Sequence, residues 1–309
     1  MTNIDDRITV VQNSLSLYPR SHFAHIIGVQ ILRKARFGRY TLSRQKEDLD
    51  KSIVHCTEAI LLPPVSRDGC HLDNVFQLLF HLARALLERF EKFKQPEDVT
   101  YSIEYLRYLR GLLDSFDLRI PKNGVTTSLI RALGIQVEVE PGDGTQEIKE
   151  MVALSRELLI STSPAGFPNA VFTSLNEAVE AEFFRGHVQL VNQVIEFLRD
   201  AAKMYSPDSH HVFFALARAL CTRFVVTHSN SDYEEATTLL EWTLDPNQRG
   251  ECPDPMRRDI ASALATQLAF VRSAIFENPQ HSEEAISRLR TILSSPSVDG
   301  QLVFNSQTF

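Results

Sequence analysis

Apolar residues recur every three or four positions along almost the whole chain, with polar residues between them, which is the signature of amphipathic helices. Leu82, Leu86 and Phe90 share one face, as do Leu216, Leu220 and Phe224, and the run Ile103, Leu106, Leu109, Leu113 keeps the same spacing. Val, Ile and Thr seldom alternate with polar residues over strand lengths, so no sheet is predicted. Punctuation falls between the periodic stretches. Pro63-Pro64 ends one helix, Pro141-Gly142-Asp143-Gly144 separates two, and Ser206-Pro207-Asp208-Ser209 opens another. Ser231-Asp232 before Tyr233-Glu234-Glu235, and Ser282 before Glu283-Glu284, read as N-caps with acids in the first turn.

The pattern also repeats over a longer distance. The string Leu82-Ala83-Arg84-Ala85-Leu86-x-x-Arg89-Phe90 returns 134 positions later as Leu216-Ala217-Arg218-Ala219-Leu220-x-x-Arg223-Phe224, with fainter copies at 129–137, 175–183 and 264–272. Each unit reads as an A helix followed by a B helix. The A helices align on Val29, Leu82, Leu129, Leu175, Leu216 and Leu264, the B helices on Ile8, Ile53, Ile103, Val152, Ile195, Thr237 and Ile286. Two series keeping one irregular rhythm of 41 to 53 residues predict stacked supersecondary units, in which each buries its apolar face against its neighbours. The fold expected is all-α: a right-handed α-α solenoid of about six helix pairs over 1–295, with 4–17 an unpaired half-unit and 296–309 a disordered tail.

At these residues the chain resembles the tetratricopeptide (TPR) family. The A helices supply Leu82-Ala83 with Leu86, Leu216-Ala217 with Leu220, and Leu264-Ala265 with Leu268; the B helix supplies Ser52, Cys56, Ala59 and Pro64 at the family's spacing. Ala236 with Leu240, and Ala285 with Leu289, match in part. The family's ordinary unit has about 34 residues; here about two extra helical turns are inserted around the Arg-Phe pair. Units carrying Arg36-Phe37 and Asp48-Leu49-Asp50-Lys51-Ser52-Ile53 look like the long-unit TPR arrays of basidiomycete fungi, which often precede a caspase-like CHAT peptidase domain. HEAT-like helix pairs are the structural alternative.

Charge and composition narrow the partners. A formal charge of −7 with dispersed Lys and Arg lacks the footprint of a nucleic-acid binder. The N-terminus has acids where a secretory leader would be basic, and no apolar run approaches the roughly 20 residues of a membrane span. Four cysteines without a C-x-x-C pair fit reduced thiols, and a cytoplasmic location is expected.

Catalytic chemistry is not predicted. In Cys70-His71 and His55-Cys56 the neighbours point about 100° apart on a helix, a poor arrangement for a nucleophile and its base. Cys56 and Cys221 fall on apolar faces and read as buried, inert thiols. His22 with His25, and His210-His211, lack a second ligand pair, so no metal is expected. Gly142-Asp143-Gly144 reads as a turn, not a phosphate cradle. No cofactor is implied.

The TPR resemblance implies that the A helices line a concave groove, where Arg84, Arg131 and Arg218 could meet an acidic or C-terminal peptide, since arginine captures carboxylates bidentately. The plainer alternative, favoured over that role, is that these arginines pair with acids of neighbouring units or lie in solvent. Arg89 and Arg223, beside the Phe stripe, are expected to pack their stems there. The function expected is a non-enzymatic scaffold or adaptor for a protein or peptide. The rival readings are the regulatory arm of a CHAT-type effector whose protease lies outside this chain, and a structural protein that self-associates through its N-terminal helix.

Overall fold

The computed structural model describes residues 4–20, 22–61, 70–115, 121–140, 142–162, 167–205, 210–244, 255–276, 283 and 287. The described residues form twelve α-helices and no strand: α1 (Ile4–Leu15), α2 (Phe23–Ser43), α3 (Lys46–Leu61), α4 (Cys70–Phe93), α5 (Glu97–Ser115), α6 (Lys122–Val139), α7 (Thr145–Ser161), α8 (Asn169–Phe184), α9 (Val188–Met204), α10 (His210–Thr227), α11 (Asn230–Leu244) and α12 (Pro255–Phe276). The fold is the all-α helical repeat that the sequence predicts. Five A/B pairs, α2/α3 to α10/α11, are flanked by α1 and α12. The B helix expected around Ile286, the tail 296–309, and the breakers at 63–64 and 206–209 lie outside the described residues.

The chain divides into two compact units, Met1–Leu158 and Leu159–Phe309. In the first, each helix from α2 to α6 packs on the one before it, and α7 is tied to α5 and α6 by Arg107–Glu150, Arg110–Glu157 and Lys122–Glu157. In the second, α10 packs on both α8 and α9, α11 on α10 and α12 on α11. The predicted stripes form the cores: Leu82, Leu86 and Phe90 are buried with Ala83, and so are Leu216, Leu220 and Phe224 with Ala217. Gly28 lets α1 approach α2, because a methyl group there would lie 2.6 Å from Leu15 Cδ2.

Three devices recur at equivalent places and set the register. First, a residue in the left-handed region closes the A helix four positions after a buried aromatic. Arg44 (φ 57°), Lys94 (φ 55°) and His228 (φ 54°) donate their backbone N–H to the carbonyls of Tyr40, Phe90 and Phe224. Second, the Ser52 and Ser102 hydroxyls each donate to a carbonyl 19 residues back on the A helix, those of Arg33 and Ala83. Third, Arg39, Arg89 and Arg223 each bond a buried aspartate nine residues on, in the first turn of the B helix: Asp48, Asp98 and Asp232. Together these place Leu32, not Val29, in line with Leu82 and Leu216. Val29 is buried too, so periodicity alone did not separate the two. Arg39-Tyr40, not Arg36-Phe37, is therefore the counterpart of Arg89-Phe90.

Arg89 and Arg223 do more than the packing expected of them, and Arg39 shares their role. The guanidinium is a three-way tie. Nε and Nη2 of Arg89 donate to Asp98 at 2.8 and 2.6 Å, and Nη1 donates to Asp50 of the preceding B helix at 2.8 Å. Arg223 repeats this with Asp232 at 2.8 and 2.6 Å and with Asn192 of α9 at 2.7 Å. Arg39 bonds Asp48 and reaches Asp5 of α1, while Arg36 adds a second cation to Asp48 at 3.0 Å. Burial alone would raise the Asp48 carboxyl pKa, but the bonds from Arg39 and Arg36 outweigh it and hold the group below its usual value. At the same place the middle pairs carry Gln136 and Glu182. The Glu182 carboxylate is buried and meets Arg185 and His187 at 2.5 Å each.

One N-cap differs from the prediction. The α11 helix starts at Asn230, the Ser229 hydroxyl accepts from the Asp232 N–H at 3.4 Å, and Ser231-Asp232 lie inside the first turn. Asp232 is drawn inward by Arg223 and so does not serve as the cap.

The left-handed caps give a direct test. Glycine adopts positive φ without the Cβ penalty of about 1–2 kcal/mol, partly offset by its greater freedom when unfolded. His228→Gly is expected to raise stability by about 0.5–1 kcal/mol, read as a shift of the urea midpoint. Arg44 and Lys94 stand over the Tyr40 and Phe90 rings at 5.7 and 5.1 Å, so the same change there gains less.

Candidate functional site

The corrected register brings a row of cations into view. Lys34 on α2, Arg84 on α4 and Arg131 on α6 each stand two residues after the anchoring leucine, and all three are exposed. Arg84 holds its guanidinium 5.8 Å from the Phe80 ring centroid and meets no carboxylate among the described residues. Arg131 pairs with Glu91 of the neighbouring A helix α4. Lys34 has no ion-pair partner among the described residues. In the second unit the equivalent place on α8 is Glu177. Arg218 on α10 is held bidentately by Glu180 of α8, at 2.6 and 2.7 Å. Two of the three arginines singled out in the sequence thus pair with neighbouring-helix acids, and Arg84 has no acidic partner among the described residues.

Behind this row sits Arg33, a residue that the helical periodicity does not single out. Only 6% of it is exposed, its Nε has no hydrogen-bond partner, and no carboxylate pairs with it among the described residues. It lies against the Cys56 thiol of α3, which burial raises to about 11 although the nearby guanidinium pulls the other way. On α4, desolvation and then the charges of Arg33, Arg84 and Lys34 push the His81 pKa down to about 4, which leaves the ring neutral at physiological pH. The Arg-x8-Asp spacing, visible at Arg39/Asp48, Arg89/Asp98 and Arg223/Asp232, is the sequence signal that sets the register and brings Lys34 into line with Arg84 and Arg131.

The other chemical candidates resolve individually. Cys221 is buried and its thiol is pushed up to about 12 by desolvation, so both described thiols are protonated and poor nucleophiles. The side chains of Cys70, His71 and His210 lie outside the described residues. His22 accepts the Ala24 N–H at 3.1 Å and caps α2; the His211 ring meets Asn169 at 2.8 Å. His25 and His55 face the Glu58 carboxylate at 3.8 and 3.6 Å, beyond hydrogen-bond length, and their buried ring nitrogens have no hydrogen-bond partner. Asp143 accepts the Thr145 N–H at 3.0 Å, so the Gly142–Gly144 segment is a turn that starts α7. Glu234 and Glu235 bond Asn230 and Arg199, which accounts for that carboxylate pair structurally.

No protein-family model, curated protein or solved structure matches the chain. Among the described residues, no helix is long and apolar enough to cross a membrane.

Proposed function

We propose that the chain is a non-enzymatic, cytoplasmic scaffold or adaptor, a right-handed TPR-like array that takes a peptide or protein partner on its A-helix face. The single observation that carries this reading is the row Lys34, Arg84 and Arg131, with one exposed cation at the same place on three successive A helices of the first unit. Structural needs account for the other recurring charges, since Arg39, Arg89 and Arg223 are spent on ties between helices. They do not account for Lys34 and Arg84. A preformed surface of this kind binds with little ordering cost on its own side, so several modest contacts suffice.

Affinity purification from native cells tests the reading. The doubly reversed Lys34→Glu/Arg84→Glu protein is expected to lose the proteins that accompany the wild type, with its helical circular dichroism unchanged. An identical set of accompanying proteins on both would reject the groove role.

A further inference from the structure

Arg33 breaks the repeat in a way that folding does not reward. At its place the other A helices carry Ala83, Ile130, Asn176, Ala217 and Ala265, all buried. The backbone carbonyl does its structural work regardless of the side chain, accepting from Ser52 as that of Ala83 accepts from Ser102. Arg33 is 94% buried as a residue, its buried Nε has no hydrogen-bond partner and no carboxylate pairs with it among the described residues, which is costly because buried charges are ordinarily paired. Its positive neighbours Lys34 and Arg84 also lack acidic partners among the described residues, and Arg84 is steadied over Phe80 at 5.8 Å. His81, next to Phe80 with ring centroids 6.4 Å apart, adds a neutral imidazole N–H to the same patch. The depressed titration of His81 comes first from desolvation, and the charges of Arg33, Arg84 and Lys34 add to it in the same direction.

We propose that Arg33, Lys34 and Arg84, with His81, form a binding site for a phosphoryl group carried by the protein partner. The inference rests on the scaffold reading above for its occupant, and commits to a phosphorylated segment. A phosphate brings close to two negative charges and three acceptor oxygens, and so answers three cations that lack an acidic partner among the described residues better than a single carboxylate does. Arginine clusters are a recurrent means of reading phosphorylated segments.

The full chain is titrated with inorganic phosphate, against sodium chloride of matched ionic strength, by following the His81 imidazole signals by NMR. Saturable binding is expected in the millimolar range, with the His81 midpoint moving upward. Arg33→Met is expected to weaken that binding at least ten-fold. The same variant is expected to melt at a higher temperature than the wild type in the absence of phosphate, since it removes a buried charge that no carboxylate among the described residues balances. A purely structural arginine would give the reverse, a lower melting temperature. Phosphate that acts no differently from chloride, or that binds Arg33→Met equally well, overturns the proposal.

The two readings fail separately. Partner capture that depends on Lys34 and Arg84 without any phosphate binding leaves the scaffold standing and removes this site. Phosphate binding without partner capture does the opposite. A carboxylate-bearing peptide that competes as well as its phosphoserine counterpart would also overturn the choice of phosphate.

Discussion

Arg223→Ala is expected to cost about 3–5 kcal/mol of stability in the second unit, among the largest effects of any single charge removal there. The Asp232 carboxylate is buried in the first turn of α11, with only 2% of the residue exposed, and it receives two of the three arginine bonds. The helix dipole favours a negative charge at that position but does not replace a bidentate guanidinium. Removing Arg223 leaves an uncompensated buried anion and also frees Asn192 of α9. Arg223→Lys is expected to recover little, since an ammonium cannot make the parallel pair of bonds. Arg223→Met with Asp232→Leu should regain much of the loss, because the cost lies mainly in the orphaned charge. Chemical denaturation followed by circular dichroism, with native-state hydrogen exchange to localise the loss, measures all three. An unchanged midpoint for Arg223→Ala would show that the tie contributes nothing.

Phe224→Ala is expected to be as severe, at about 3–5 kcal/mol, for a different reason. The ring has no exposed surface and lies 5.5 Å from that of Tyr233, centroid to centroid. Truncation removes the transfer free energy of the ring and leaves a cavity between α10 and α11, which the surrounding close-packed side chains fill only in part. The next two residues give the contrast. Val225 and Val226 are 38% and 51% exposed, and their replacement by alanine is expected to stay within about 0.5 kcal/mol. Because Arg223 and Phe224 are adjacent, the double variant is not expected to show the sum of the single losses. Comparable midpoints for Phe224→Ala and Val226→Ala would contradict the burial assigned to this ring.

The helical class and the stacking of neighbours were legible because one apolar face per helix is a one-dimensional signal. The stripe Leu216, Leu220, Phe224 gives its own period away. Register was harder. Val29 and Leu32 are three apart on the same buried face of α2, so either satisfies the pattern, and only the polar partners nine and 19 residues away distinguish them. The candidate site inherited that ambiguity. Arg84 and Arg131 could be named from the copies at Leu82 and Leu129, but Lys34 dropped out with the shifted anchor. Arg33 was invisible because sequence shows the presence of a cation and not the absence of its counter-ion. Arg218 looked equivalent to Arg84 by sequence, and only the position of Glu180 on the neighbouring helix separates them.

The three-way arginine ties have a direction. Arg39, Arg89 and Arg223 each send their outermost donor backward along the chain, to Asp5, Asp50 and Asn192, and never forward to a later pair. On a ribosome, every such guanidinium emerges after its upstream acceptor has already been synthesised. Each tied pair can therefore dock on the helices already made while the rest of the chain is still inside the exit tunnel, which suits growth from the amino-terminal side during translation.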